Sequence, residues 1–112
     1  MKHELLVPVG NKESLIYAIN NGADAVYLAG KKYGARAFAE NFTLEEIEEA
    51  TNLCHLYGVK IFITVNTLIY ESEFSSCLEY IESLHKIGVD ALILQDIGLI
   101  EAVHSMFPNL EI

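Results

Sequence analysis

The stretch Gly58-Val59-Lys60-Ile61-Phe62-Ile63-Thr64-Val65-Asn66-Thr67 opens on a glycine, runs through β-branched apolar side chains and closes on polar ones. That order describes a buried strand whose far end faces a site. The same grammar occurs in Gly22-Ala23-Asp24-Ala25-Val26-Tyr27-Leu28-Ala29-Gly30 and again in Gly88-Val89-Asp90-Ala91-Leu92-Ile93-Leu94-Gln95-Asp96. The opening glycines recur at intervals of 36 and 30 residues, a spacing that fits repeated βα units of a parallel sheet.

Helical patterns fill the intervals. Glu4-Leu5-Leu6-Val7-Pro8 is a first short strand ended by a proline, and Asn11 is placed to cap a helix over 12–21 with an apolar stripe of Leu15, Ile16 and Ile19. Gly22 closes that helix. A second strand over 24–28 leads into the long connection from Ala29 to Phe42, of the length at which loops tend to carry function. Thr43-Leu44-Glu45-Glu46 is a capping box. The helix it starts runs to about Tyr57, with Ile47, Ala50, Cys54 and Tyr57 on one face and Glu45, Glu48 and Glu49 toward water. A third helix over 72–87 carries Phe74, Cys77, Leu78, Ile81 and Leu84, and a fourth from Ile97 to about Phe107 is stopped by Pro108. Asn109-Leu110-Glu111-Ile112 opens a fifth strand.

One-sided helices beside strands apolar on both faces define an α/β chain with parallel strands. Two architectures satisfy this pattern: an open doubly wound sheet, or part of a (β/α)₈ barrel of the TIM type. The turn Pro8-Val9-Gly10-Asn11-Lys12 lacks the G-x-G-x-x-G dinucleotide fingerprint, which weakens the open sheet. About four βα units and the start of a fifth strand amount to half of a barrel, which typically needs about 250 residues. The 112 residues are therefore expected to be a single domain, the N-terminal half of a longer catalytic barrel. Bare strand edges and an uncovered inner face predict pairing with the missing half or a homo-oligomer.

Composition removes several functions. The formal charge of −9 is poor material for holding phosphate backbones, so any nucleic-acid contact needs a local or external basic surface. No apolar run approaches the ~20 residues that span a bilayer, and Met1-Lys2-His3-Glu4 has no cleavage-site pattern, which points to the cytoplasm. Cys54 and Cys77 form no C-x-x-C pair and read as buried structural thiols. His3, His55, His85 and His104 make no H-x-x-x-H or H-E-x-x-H pattern, so no metal site is expected. His55 and His85 lie in last helical turns, where the dipole favours a cation. There is no G-x-S-x-G elbow, and a covalent protease mechanism cannot be assembled from these residues.

In a parallel barrel the chemistry gathers at the carboxyl ends of the strands. The candidate catalytic residues are Asn66, as a hydrogen-bond donor to a substrate carbonyl or carboxylate, and Asp96, as a general base or a group that binds a cation. The competing roles are a turn cap for Asn66 and the N-cap of the fourth helix for Asp96. Candidate substrate-binding residues are Asn11, Lys31, Arg36, Thr67 and Gln95. Arg36, with Lys31 and Lys32, makes a local anion clamp or merely solvates the loop. Tyr33 and Phe38 stack on a ligand or pin the loop, and Gln95 is equally suited to a buried amide.

Five ordered motifs, Leu5-Leu6-Val7-Pro8-Val9-Gly10-Asn11, Asn21 to Gly30, Ala35-Arg36-Ala37-Phe38-Ala39, Thr64-Val65-Asn66-Thr67-Leu68 and Gln95-Asp96-Ile97-Gly98, together resemble the start of the peptidase U32 (collagenase-like protease) family. Val9 replaces the family's usual Ala and Ala29 its usual Gly. The resemblance implies a TIM-barrel-like catalytic domain and a peptidase acting on collagen-like substrates. As an alternative behind the peptidase it implies tRNA, rRNA or quinone hydroxylation, in which similar proteins take part with an iron-sulfur cluster held by cysteines of a later region. Those cysteines have no counterpart here, so no cofactor is expected in this segment. A non-catalytic half-barrel subunit is the third expectation.

Overall fold

The structure, a computed structural model, describes residues 4–30, 42–65, 74–94 and 97–112. Strands and helices alternate: β1 (Leu6–Pro8), α1 (Lys12–Asn20), β2 (Ala25–Ala29), α2 (Leu44–Leu56), β3 (Lys60–Val65), α3 (Phe74–Ile87), β4 (Ala91–Leu94) and α4 (Ile97–Met106). All pairings are parallel and the strand order is β1-β2-β3-β4. In the register, Val7 lies beside Val26, Val26 beside Ile61, and Ile63 beside Leu92.

These rows form the face that the helices cover. Val26, Leu28, Ile61, Ile63, Val65 and Leu92 join Leu15 of α1, Ile47 and Cys54 of α2, Ile81 and Leu84 of α3, and Leu99 and Val103 of α4 in one core cluster. Successive helices pack on one another, α1 on α2, α2 on α3 and α3 on α4. Strand order that follows chain order, with every described helix on one face, is a singly wound arrangement of consecutive βα units. A doubly wound sheet needs a reversal of strand order and helices on both faces. The other face carries Leu6, Pro8, Tyr27, Phe62 and Ile93, and Leu6 and Ile93 remain 47% and 39% exposed.

The repeated glycines have a shared cause. Gly22, Gly58 and Gly88 all adopt positive φ, at 81°, 72° and 95°. Each follows a helix, and the amide one residue later reaches back to the carbonyl five residues before it: Ala23 to Ala18 (3.1 Å), Val59 to Cys54 (2.8 Å) and Val89 to Leu84 (3.4 Å). These are Schellman closures, which need the left-handed conformation at the glycine and send the chain straight into the next strand.

The beginning of a fifth strand is also present. Glu111 bridges Ala91 in parallel, its carbonyl accepting the Leu92 amide at 2.9 Å, and Leu110 is buried. Two expectations for the helices are corrected. Tyr57 is 63% exposed and does not belong to the buried face of α2, because it is the C-cap, where the helical projection has ended. Thr51 takes a core position, and its hydroxyl is satisfied by donating to the Ile47 carbonyl at 2.7 Å. Ile16, expected in the apolar stripe of α1, is instead 41% exposed.

Candidate functional site

Parallel pairing brings the carboxyl ends of the strands, at Pro8, Ala29, Val65 and Leu94, to one edge of the sheet. Of the seven candidate site residues, Asn11 is described. It caps α1 in extended conformation, its Oδ1 accepting the Ser14 amide at 2.8 Å while Ser14 Oγ accepts the Asn11 amide at 3.2 Å. The side-chain oxygen of Asn11 therefore holds the turn after β1 in place. Lys31, Arg36, Asn66, Thr67, Gln95 and Asp96 lie outside the described residues, as do Tyr33 and Phe38. What the structure defines is the edge from which these segments depart.

Two features shape that edge. Gly30 bridges Phe42 in parallel, and the Phe42 amide donates to the Ala29 carbonyl at 3.0 Å, so the long connection leaves and re-enters at adjacent points. Gly30 also packs against Tyr80 of α3. A Cβ there would collide with the Tyr80 hydroxyl and stand 3.1 Å from Cζ. Glycine at this position lets an aromatic side chain from the helix layer reach the rim of the sheet. On the face away from the helices, the last described row is Ala29, Thr64 and Ile93, and the Thr64 hydroxyl donates to the Leu28 carbonyl at 3.3 Å.

The opposite edge carries a carboxylate device that the residue patterns did not single out. Asp90 Oδ2 accepts the Ile61 amide at 2.7 Å and lies 2.8 Å from His55 Nε2, joining the end of α2 to β3 and the approach to β4. Asp24 does the same for the first unit, its Oδ2 accepting the Leu5 amide at 2.7 Å. The recurring Gly-x-Asp before β2 and β4 was the available signal. Both carboxylates occupy strand N-termini, so they belong to the scaffold.

Cys54 and Cys77 are fully buried. Burial, reinforced by the charge of Asp90, pushes the Cys54 thiol from its ordinary 9.0 up to about 11. A protonated thiol in an apolar core does not suit an iron-sulfur cluster, whose ligands are thiolates. Among the described residues, no three of His, Cys, Asp and Glu stand together in a way that could hold a metal ion. No described helix is long and apolar enough to cross a membrane.

The fold is thus a singly wound parallel β/α sheet whose strand ends present one rim. Residues 10–112 match the model of peptidase family U32, and the chain belongs to that family. It is 39% identical over 99% of its length to tRNA hydroxylation protein P1 of Bacillus subtilis, and 44% identical over 88% of its length to 23S rRNA 5-hydroxycytidine C2501 synthase of Escherichia coli. It is also 38% identical over 85% of its length to the collagenase of Porphyromonas gingivalis. The chain spans 26%, 15% and 23% of those relatives, respectively.

Proposed function

We propose that the chain supplies part of the barrel domain of a protein that takes part in hydroxylating a base of tRNA or rRNA. The observation that carries this reading is the match across 99% of the chain to a tRNA hydroxylation protein, joined by 44% identity to an rRNA hydroxycytidine synthase. In this reading the rim at the carboxyl ends of the strands holds the substrate. Arg36 and Lys31 contact phosphate, which matters in a chain of charge −9. Asn66 donates a hydrogen bond to a carbonyl of the reacting group and Asp96 accepts a proton. Thr67, Gln95 and Asn11 position the ligand. A cluster of the kind found in similar proteins would supply electron transfer, with its thiolate ligands outside these 112 residues, since neither Cys54 nor Cys77 fits that role. A cytoplasmic location accompanies an RNA substrate.

Peptidase activity is the second reading, favoured by the collagenase relative. One pair of measurements separates the two. Deleting the gene and quantifying nucleosides of digested tRNA and rRNA by mass spectrometry should show loss of a hydroxylated pyrimidine, with return on complementation. Unchanged nucleosides together with gelatin cleavage by the purified full-length protein would overturn the hydroxylation reading in favour of the peptidase.

A further inference from the structure

The turn that closes α1 holds a covalent chemistry separate from that of the rim. Of the asparagines in the chain, Asn21 alone precedes a glycine. That order favours attack of the glycine nitrogen on the asparagine carboxamide, because no side chain hinders the approach and glycine lets the backbone turn into the ring. Asn21 and Gly22 are both exposed, and a Cβ added at Gly22 would meet no described atom within 4 Å, so the junction stands open to water.

In the folded chain both reacting groups are engaged elsewhere. Asn21 is the C-cap of α1, at φ −104° and ψ 20°, and its Nδ2 donates to the Tyr17 carbonyl at 2.7 Å. The same carbonyl accepts the Asn21 amide at 3.1 Å, and the Gly22 amide donates to the Ile19 carbonyl at 3.3 Å. The carboxamide is therefore turned back along the helix, while the nitrogen that would attack it is tied to the last turn. These bonds lie at an exposed helix end, where local opening costs little.

We propose that Asn21 is a site of spontaneous deamidation whose rate is set by opening of the last turn of α1. When that turn opens, the Gly22 nitrogen gives its proton to solvent base and bonds to Asn21 Cγ. The Cγ–Nδ2 bond then breaks, the nitrogen takes up a proton and leaves as ammonia, and a succinimide is closed. One water adds to either ring carbonyl and yields aspartate or isoaspartate, with no change of oxidation state. Both products undo the cap. An aspartate carboxylate has no hydrogen to donate to the Tyr17 carbonyl, and it brings negative charge to the negative end of the helix dipole. Isoaspartate lengthens the main chain by one carbon just before Asp24, whose Oδ2 accepts the Leu5 amide at 2.7 Å and whose amide donates to the Leu5 carbonyl at 2.9 Å. The site lies where β2 begins, at the edge opposite the rim, so it is independent of the RNA reading.

The full-length protein is incubated in mildly alkaline, isotopically labelled water, folded and in urea, and each asparagine is followed by peptide mapping with fragmentation mass spectrometry. Asn21 should convert in the folded protein, and about tenfold or more faster in urea, where the cap is gone. Asn20→Gly and Asn20→Ala change an exposed position of the last turn and leave Asn21 and Gly22 in place. With each rate divided by that variant's own rate in urea, the glycine variant should convert about fivefold faster than the alanine variant, as their helix propensities require. Equal rates in the folded protein and in urea, no conversion of the folded protein, or equal ratios for the two Asn20 variants would each overturn the proposal. Asn21→Asp, which makes one product directly, should lower the urea midpoint, and an unchanged midpoint would overturn the effect assigned to that product.

Discussion

At the residue scale, three side chains carry testable consequences. Gly30 stands where a Cβ would strike the Tyr80 hydroxyl. Gly30→Ala should cost about 1 to 3 kcal/mol by overpacking. Tyr80→Phe in the same chain should return part of that loss, since the remaining 3.1 Å approach to Cζ needs a shift of only a few tenths of an ångström. A double-mutant cycle from urea unfolding reads the coupling, and additive losses would contradict it. Asp90 ties His55 and the Ile61 amide to one carboxylate oxygen. Asp90→Ala should lower stability by about 1 to 3 kcal/mol, the cost of orphaning a sheltered backbone donor, and Asp90→Asn should cost less because an acceptor remains. The Cys54 thiol is held protonated up to about pH 11 by burial and then by Asp90. The unfolded thiol ionises near its ordinary value of 9.0, so between pH 9 and 11 the unfolded state binds fewer protons than the folded one. Stability from this group is therefore complete below pH 9 and declines as pH rises toward 11. Urea midpoints at pH 8.5 and 10.5 should drop more steeply in the parent than in Cys54→Ala, which lacks the thiol.

At the element scale, the helices are specified at their ends as firmly as along their faces. Thr43 caps α2, its Oγ1 accepting the Glu46 amide at 3.1 Å while Glu46 Oε1 accepts the Thr43 amide at 3.0 Å. Thr43→Ala should cost about 1 kcal/mol in a thermal or urea melt, and Thr43→Ser should recover nearly all of it. This box was legible because its two partners sit three residues apart, and the Schellman glycines because each terminates a periodic run and precedes a β-branched one. The exposure of Ile16 and Tyr57 was not legible. Periodicity ranks positions around a helix axis, but whether a flank is buried depends on how closely the neighbouring helix approaches, and here α1 and α2 leave a groove. The placement of Thr51 escaped for a related reason. A threonine in a helix interior is acceptable in a core once its hydroxyl bonds the preceding turn, and residue type alone does not show that.

At the scale of the whole molecule, the repeated Gly-x-strand unit was enough to foresee parallel βα units. Sequence pattern left the doubly wound sheet open because both architectures use the same unit. They differ in strand order and in which faces the helices cover, and those are tertiary facts. The candidate site was legible only as a rim. Asn11 turned out to have a structural duty at that rim, while the other six residues follow strand ends without a described geometry. The face carrying Leu6, Tyr27, Phe62 and Ile93 leads to a further expectation. Residues 1–112 expressed alone should self-associate and bind a hydrophobic dye, and sedimentation as a dye-negative monomer would contradict this.

Strand order that mirrors chain order has a bearing on how the protein comes into being. Every described strand pairs with its nearest predecessor or successor, so no segment must wait for a distant one before finding its place. At synthesis rates of about 5 to 20 residues per second, each new unit has on the order of seconds to dock on the last while later units are still inside the ribosome. The growing sheet would then always expose one fresh border, the one on which the next strand pairs.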